Sequence, residues 1–197
     1  MRYLPPEPVD VVICEMLHVA LIREKQLDVL HDFKTRYLAA FGPKLPRFIP
    51  DTTLLGVQPV QQDFRFLGYE ATVPMFAPPG FRHDCRGLAD PQVYGTISYE
   101  EELPEILEWS GNLPIHTAGT LNALQFQTKN FLAFDYAEER GVEWPMNQLV
   151  LPLDEPLTVR AGEDVRIAFR YRSGAPLESL QAALSVKRHT RALRRAA

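Results

Sequence analysis

The chain begins with a short, nearly continuous apolar segment over residues 9–14, Val-Asp-Val-Val-Ile-Cys. Such a run is typical of a strand that is buried on both faces of a parallel sheet. A parallel strand needs neighbours, and the residues before Val9 contain no strand–helix unit that could supply them. We therefore expect the neighbours to come from another polypeptide or from a second copy of this chain.

The next segment has a helical pattern. Apolar side chains recur three and four positions apart at Leu27, Leu30, Phe33, Tyr37 and Phe41. This spacing predicts an amphipathic helix. Because glycine and proline commonly follow the last turn of a helix, Gly42 and Pro43 predict where it ends.

After residue 50 the pattern changes to short apolar segments separated by turn residues. Seventeen prolines, spread along the chain, break it into short elements. The pattern predicts strands over residues 52–60, 64–69, 71–76, 93–99, 120–128, 131–136, 147–153, 157–159, 165–171 and 179–186. Many short strands in succession are typical of an antiparallel sandwich or barrel. We therefore expect a mainly β protein of the α+β class.

The change of pattern near residues 42–46 divides the chain. Residues 1–43 are predicted to hold the strand and the helix, residues 44–186 the β-rich body, and residues 187–197 a basic tail. The basic residues of the tail are Lys187, Arg188, Arg191, Arg194 and Arg195. A solvated chain end is the ordinary interpretation of such a tail, and a contact with nucleic acid or an acidic partner is the alternative.

Composition narrows the function classes. A net charge of −4 and a pI near 5.8 argue against unspecific binding of nucleic acid. Two cysteines are too few for a disulfide framework, and no apolar leader follows Met1. No apolar stretch reaches the length needed to cross a membrane. These features predict a reduced, cytoplasmic protein.

Two glutamates nine positions apart are the strongest candidates for a chemical site. Glu15 directly follows the apolar strand, and Glu24 lies at the start of the helical pattern. Ligands of open α/β sheets bind at the carboxyl ends of the strands, and two carboxylates there would suit the planar donor fork of a guanidinium. The alternative is that Glu15 accepts hydrogen bonds from backbone donors while Glu24 is a solvated helix residue, paired with Arg23 or Lys25.

Other polar residues form weaker candidates. The histidines, together with Cys85, show no metal-ligand spacing, which predicts no metal site; they are His18, His31, His83, His116 and His189. The glutamates between residues 100 and 108 are predicted to form a solvated acidic face, and a surface for a basic partner is the alternative.

The sequence around the glutamate pair resembles the double-glutamate loop of the protein arginine N-methyltransferases. Residues 10–17 read Asp-Val-Val-Ile-Cys-Glu-Met-Leu, and residues 21–28 read Leu-Ile-Arg-Glu-Lys-Gln-Leu-Asp. The family pattern is roughly Ser-Glu-Trp-Met-Gly-Tyr, three or four apolar residues, then Glu-Ser-Met-Leu-Asp. Its glutamates are separated by the same interval.

Two downstream segments extend the resemblance. Residues 48–51, Phe-Ile-Pro-Asp, resemble the Phe-Pro-Asp segment where the family's β-barrel starts. Residues 143–153 resemble its Thr-His-Trp-Lys-Gln segment with the following strand, and residues 154–163 continue in register with its barrel.

The resemblance implies that the chain is the C-terminal part of such an enzyme. Residues 1–43 would be the last strand and helix of a truncated Rossmann-type methyltransferase domain, and residues 44–186 an antiparallel β-barrel for substrate binding and dimerisation. As catalytic residues, Glu15 and Glu24 would hold a substrate guanidinium while S-adenosylmethionine supplies the methyl group. The substrate-binding positions implied are Met16, Glu143 and Trp144.

Several positions depart from the family pattern. Met16 stands where the family has tryptophan, and His18 where it has the glycine of the loop. Arg23 replaces an aromatic residue before the second glutamate, and Glu143 replaces the histidine of Thr-His-Trp. None of the eleven glycines forms a Gly-x-Gly motif after a strand, so the binding motif for S-adenosylmethionine is absent.

Three functions follow from these observations. The first is the substrate-binding half of an arginine methyltransferase, inactive alone, which needs a separate cofactor-binding domain or a homo-oligomer as partner. The second is a non-catalytic β-barrel that serves as a binding or scaffold module, which Arg23 and Glu143 favour. The third is a methyltransferase remnant for a substrate other than arginine, with RNA disfavoured by the lack of a basic groove-like stretch.

Overall fold

The computed structural model of the protein describes residues 3–78, 84–135 and 137–189. Strands make up 50% of the described residues and helices 14%, and the main sheet curls into an antiparallel half-barrel. The prediction of a mainly β fold is therefore confirmed. In chain order the described strands are β1 Val11–Ile13, β2 Arg47–Ile49, β3 Thr52–Gln62, β4 Arg65–Phe66, β5 Tyr69–Glu70, β6 Met75–Ala77, β7 Cys85–Gly87, β8 Gln92–Ser98, β9 Ile106–Pro114, β10 Gly119–Asp135, β11 Arg140–Trp144, β12 Gln148–Val159, β13 Asp164–Arg172 and β14 Ser185–His189. The described helices are α1 Gln26–Phe41, α2 Leu177–Ala183 and a short 3₁₀ turn, Val19–Leu21.

The first two strands form a small parallel sheet joined by α1. Val11 pairs with Arg47 and Ile13 with Ile49, so the predicted parallel pairing is confirmed. The expectation that another polypeptide supplies the neighbour is wrong for this edge, because β2 belongs to the same chain. The prediction that β1 is buried on both faces is wrong, because 47% of Val11 and 73% of Ile13 are exposed. Within the described ranges no strand pairs with the outer edge of β1. Its faces therefore lack the covering that a larger parallel sheet provides.

Helix α1 follows the predicted pattern. Leu27 and Leu30 of its apolar stripe are buried. At the end of the helix Gly42 takes a positive φ of 94° and donates its N–H to the carbonyl oxygen of Leu38 at 3.0 Å. A positive φ is readily adopted by glycine, which has no Cβ, so the predicted end of the helix at Gly42 is confirmed.

The main sheet is built around two long strands. Its order is β6-β12-β10-β3-β7, with β8 also paired to β3 and β11 to β10. On the inner face Leu124 and Phe126 of β10 are fully buried, as are Leu55 and Val57 of β3. Side chains of β3 alternate between buried and partly exposed positions, which is the pattern of a strand with one face on the core.

A three-stranded sheet, β14-β13-β9, covers the open side of the half-barrel. Aromatic rings pack between the two sheets. The ring centroid of Phe169 on β13 lies 4.9 Å from that of Tyr94 on β8 and 5.5 Å from that of Phe126 on β10. The loop between β1 and α1 contributes Leu17 and Ile22 to the same hydrophobic core. The division at residue 43 stays a prediction.

The predicted strand over residues 179–186 is wrong. This segment holds α2 and then the first part of β14. Leu177 and Leu180, three positions apart, are both buried on one turn of helix. An apolar pattern this short does not distinguish a helix from a strand.

Strand boundaries differ from the prediction where charges or prolines interrupt the apolar pattern. β9 was not predicted, because its inward-facing Leu107 and Leu113 alternate with polar residues within and after the acidic run. Residues 120–128 and 131–135 belong to the single strand β10, and residue 136 lies outside the described ranges. Residues 148–153 and 157–159 belong to the single strand β12, which contains Pro152 and Pro156. No helix in the described ranges is long and apolar enough to cross a membrane.

Candidate functional site

The loop between β1 and α1 carries both candidate glutamates and has a strained backbone. Three non-glycine residues in it have positive φ angles, namely 56° at Ala20, 51° at Leu21 and 64° at Arg23. Left-handed backbone costs a non-glycine residue about 1–2 kcal/mol. Such strain persists where the surrounding structure fixes the conformation, and it is concentrated at functional sites.

Buried hydroxyl groups hold the first strained residue. The N–H of Ala20 donates to the Thr128 hydroxyl at 2.8 Å, and the Tyr171 hydroxyl donates to the carbonyl oxygen of Ala20 at 2.8 Å. Since Tyr171 donates there, it accepts from the Tyr94 hydroxyl at 2.7 Å. Burial raises the pKa of both tyrosines well above the ordinary value, which keeps this chain of hydroxyls protonated.

The segment after β13 holds the next two strained residues through backbone groups and one hydroxyl. Gly174 donates its N–H to the carbonyl oxygen of Leu21 at 2.8 Å, and the Ser173 hydroxyl donates to the same oxygen at 3.3 Å. The N–H of Arg23 donates to the carbonyl oxygen of Ala175 at 2.8 Å. The loop is thus fixed by residues far away in the sequence.

Glu24 follows a three-residue turn. Its N–H donates to the carbonyl oxygen of Ile22 at 2.7 Å, with the left-handed Arg23 at the centre. A γ-turn with a positive central φ is the rare and strained form. The turn brings the chain into α1 with the Glu24 side chain exposed.

Gln26 fixes the backbone on both sides of Glu15. The amide of Gln26 is fully buried. Its Oε1 accepts hydrogen bonds from the Met16 N–H at 2.9 Å and the Cys14 thiol at 3.3 Å, and its Nε2 donates to the Cys14 carbonyl oxygen at 2.7 Å. The amide therefore binds the residues on both sides of Glu15, whose own side chain is exposed. Burial, and next the charge of Glu15, raise the pKa of the Cys14 thiol.

The sequence pattern did not single out Gln26, although a signal was present. Gln26 lies four positions before Leu30 and seven before Phe33, so it belongs to the apolar stripe of α1. A polar side chain at such a position is buried and must find hydrogen-bond partners. That requirement points to the backbone next to Glu15.

A second buried polar network lies in the sheet. The Tyr99 hydroxyl donates to the Thr53 hydroxyl at 2.9 Å, while Thr53 donates to Oδ1 of Asn130 at 2.7 Å. Burial raises the pKa of Tyr99 to about 12. The Nδ2 of Asn130 is buried without a partner among the described residues. Asn130 pairs in register with Trp144 of β11, so the network ends beside a predicted substrate-binding residue.

Both glutamate side chains are exposed, and no described residue forms a hydrogen bond or an ion pair with either carboxylate. The alternative in which Glu15 accepts from backbone donors is therefore not seen, nor is a pair between Glu24 and Arg23 or Lys25. The Arg23 guanidinium instead lies over the Phe76 ring, with its Cζ 5.5 Å from the ring centroid. Arg23 thus leaves both carboxylates available to a cation.

His18 lies close to Arg23 and Glu24. Its ring meets Phe76 in a T-shaped contact at 5.3 Å, and its Nδ1 lies 3.3 Å from the carbonyl oxygen of Val19. Burial lowers the pKa of His18 below its ordinary value of 6.5, and the charge of Arg23 adds to this, against opposing effects of the Val19 carbonyl and Glu24. The imidazole is therefore neutral near pH 7.

The predicted substrate-binding residues lie on two elements. Met16 is half-buried in the loop, next to Glu15. Glu143 and Trp144 lie on β11, where Glu143 forms an ion pair with Lys129 at 3.3 Å and 45% of Trp144 is exposed. The contacts described for β11 run along β10, so a shared site with the glutamates stays a prediction.

Among the described residues, no three His, Cys, Asp or Glu side chains are grouped so that they could hold a metal ion. His83 lies outside the described ranges, as do the last eight residues of the basic tail. Of the predicted acidic face, Glu108 forms an ion pair with Arg170 at 3.2 Å.

The described residues do not fit the phosphate- or ribose-binding turn of a nucleotide cofactor. The loop after β1 contains no glycine, and the backbone N–H groups of residues 20–23 already donate hydrogen bonds within the protein. Three cavities of about 380, 430 and 400 Å³ surround β1 instead, and Val11 lines all of them. Neither glutamate lines these cavities.

No protein-family model matches the sequence. An uncharacterized protein of Methanothermobacter thermautotrophicus is 28% identical over 179 residues, which cover 89% of this chain. The match spans 62% of that protein, so more than a third of the relative's length lies outside it.

A solved structure shows the fold more clearly than the sequence relative does. A chain of the Trypanosoma brucei PRMT1 enzyme–prozyme heterotetrameric complex with AdoHcy is similar to 95% of this chain, with a TM-score of 0.64 and 13% sequence identity. This likeness shows the fold. The curled half-barrel matches the C-terminal region of that methyltransferase, as the sequence resemblance implied. The similarity spans 69% of the solved chain.

Proposed function

We propose that this chain is the substrate-binding part of an S-adenosylmethionine-dependent methyltransferase that acts on the guanidinium group of arginine. The observation that carries the proposal is the loop between β1 and α1. It presents two exposed carboxylates without ion-pair partners among the described residues, on a backbone that buried groups hold in a strained conformation. The similarity of the fold to a PRMT1 chain supports the choice of substrate class.

The loop would act by positioning and electrostatics. Two carboxylates bind a guanidinium through charge-assisted hydrogen bonds, which orient one nitrogen towards the methyl donor and draw positive charge towards the others. Gln26 fixes the backbone on both sides of Glu15, and the γ-turn at Arg23 fixes Glu24. A frame of this kind keeps the reacting group in place without reorganisation during the reaction.

S-adenosylmethionine, when bound by a partner, would supply the methyl group. We infer that this partner is an α/β domain that docks against β1. The exposed Val11 and Ile13, the open strand edge and the three cavities around β1 support this inference, because parallel strands are normally covered on both faces. The similar solved chain belongs to a heterotetrameric complex, which supports assembly with a partner chain here.

The test is methyl transfer to arginine peptides by this chain mixed with a separately supplied S-adenosylmethionine-binding domain. We expect activity for the wild type and a loss of at least a hundredfold for Glu15→Gln and Glu24→Gln, about the loss seen when one preorganised group is removed from an active site. Glu155→Gln, an exposed glutamate on β12, is the matched control. Equal activity in all four proteins would contradict the guanidinium site.

A non-catalytic binding module is the second candidate. It is favoured by the ion pair of Glu143 with Lys129. Glu143 stands where the family has a histidine, and the pair engages its carboxylate. This candidate predicts binding of arginine peptides that depends on the two glutamates, without methyl transfer in any mixture. Transfer to substrates other than arginine in the same assay would support the third hypothesis, a methyltransferase remnant for another substrate.

A further inference from the structure

Phe76 provides an aromatic surface next to the glutamate loop. It lies on β6, an edge strand of the main sheet, where it pairs in register with Leu149 of β12. Phe76 is 38% exposed. An exposed ring on a short edge strand has room for a second group on its face.

Arg23 is the group on that face. As a neighbour of Glu24 in sequence, it could have formed an ion pair with a carboxylate, yet its guanidinium lies over Phe76 with Cζ 5.5 Å from the ring centroid. The γ-turn explains the choice, because the left-handed conformation of Arg23 and the hydrogen bond of its N–H to Ala175 fix the direction in which the side chain leaves the backbone. The contact has the geometry of a cation–π interaction.

His18 lies on the same ring. Its imidazole meets Phe76 in a T-shaped contact with an interplanar angle of 82°. Phe76 therefore touches both a cation and a second aromatic group, and both come from the loop that carries Glu15 and Glu24.

We propose that Phe76 and His18 form a binding site for a cationic side chain, that Arg23 occupies this site in the free chain, and that a ligand guanidinium displaces Arg23 from it. The inference rests on the proposed function and deepens it, because it adds an aromatic subsite to the two carboxylates. Arg23 then acts as an intramolecular competitor whose effective concentration is set by its short tether.

The expected size of the effect is modest. An exposed cation–π contact corresponds to about a two- to fivefold change in an equilibrium constant. Removing the competitor should therefore strengthen ligand binding by about this factor, and removing the ring should weaken it by a similar factor.

The experiment is an NMR titration of the full chain with Nα-acetyl-arginine amide, observed at the ring protons of His18. Nα-acetyl-citrulline amide, which has nearly the same shape without the charge, is the matched ligand. We expect Arg23→Gln to bind the arginine derivative about two- to fivefold more tightly than the wild type. The further change Phe76→Leu should remove this gain, and Phe134→Leu, at another exposed ring, should not.

Each other outcome has a defined meaning. Equal affinity of the wild type and Arg23→Gln, or equal binding of the citrulline derivative, would overturn the proposal. Binding that is lost in Glu15→Gln and Glu24→Gln but unchanged in Phe76→Leu would overturn the aromatic subsite and leave the proposed function standing. Binding that depends on Phe76 and persists without the two glutamates would support the aromatic subsite and contradict the proposed guanidinium site at Glu15 and Glu24.

Discussion

The two glutamates lie on one short loop, but the structure holds them in different ways. A single buried side chain, Gln26, binds the peptide groups on both sides of Glu15. Glu24 is held by main-chain contacts, since the strained turn before it is bound to the backbone of residues 174 and 175. One carboxylate therefore depends on a side-chain amide, and the other on the path of a distant backbone segment.

This difference means that the support of each glutamate can be removed without removing the support of the other. A change at Gln26 should act on Glu15 first, whereas a change at Gly174 should act on Glu24 first. Because Gln26 is buried and Gly174 is partly buried, each change should lower stability as well as ligand binding. The two effects can be separated by comparing variants that break one support only.

The largest effect is expected for Gln26→Leu, which keeps the size of the side chain but removes its amide. The Met16 N–H and the Cys14 carbonyl oxygen would then lose their partner, and each buried polar group left without one costs about 1–3 kcal/mol. We expect the free energy of unfolding in urea to fall by about 3 kcal/mol. Gln92→Leu, which changes an exposed glutamine, should leave it nearly unchanged. A loss below about 1 kcal/mol would show that Glu15 is held in another way.

Gly174→Ala should have the second largest effect. Gly174 has a φ of 71°, and an added Cβ would lie 3.1 Å from Cγ of Lys25 and 3.3 Å from the carbonyl oxygen of Glu24. Gly162 offers a matched control, because its φ is 87° and nothing lies within 4 Å of its Cβ position. We expect about 1 kcal/mol of destabilisation for Gly162→Ala and about 2 kcal/mol for Gly174→Ala. Equal losses would mean that the contact with the Glu24 segment adds no crowding.

A smaller effect should follow from the titration of His18. Its pKa is lowered in the folded chain, chiefly by burial, so the unfolded chain binds the proton first as the pH falls. The stabilisation that depends on a neutral His18 is fully present above its ordinary pKa of 6.5. It is lost as the pH falls through that value and then through the lower pKa of the folded chain. The unfolding free energy of the wild type should therefore fall more steeply between pH 7 and 5 than that of His18→Gln. Parallel curves would contradict this assignment.

The sequence pattern predicted those features that depend on neighbours along the chain. The helix α1 and its end at Gly42 follow from local spacing, and the position of Glu15 at the end of a strand follows from the apolar run before it. The strand β9 was missed because acidic residues mask the alternation of Leu107 and Leu113. Local pattern also failed at α2, where one buried turn fits a helix and a strand equally well.

The geometry of the loop could not be predicted from local pattern. The positive φ angles of Ala20 and Leu21 depend on Thr128, Tyr171 and Gly174, which lie more than a hundred residues away in the sequence. The spacing of the two glutamates indicated a cation site, but it gave no sign that Arg23 would lie on Phe76. Such non-local contacts decide which of several local conformations is adopted.

The smallest effect is expected for the ion pair of Lys129 with Glu143, and it bears on the choice between the two candidate functions. Both side chains are exposed, and exposed pairs contribute about 0.2–1 kcal/mol that decreases with salt. A double-mutant cycle with Lys129→Ala and Glu143→Gln should give a coupling in this range at low salt and none at about 1 M. A coupling of this size is too weak to prevent a substrate guanidinium from competing for Glu143. A coupling well above it would keep Glu143 bound to Lys129, and would favour the non-catalytic module.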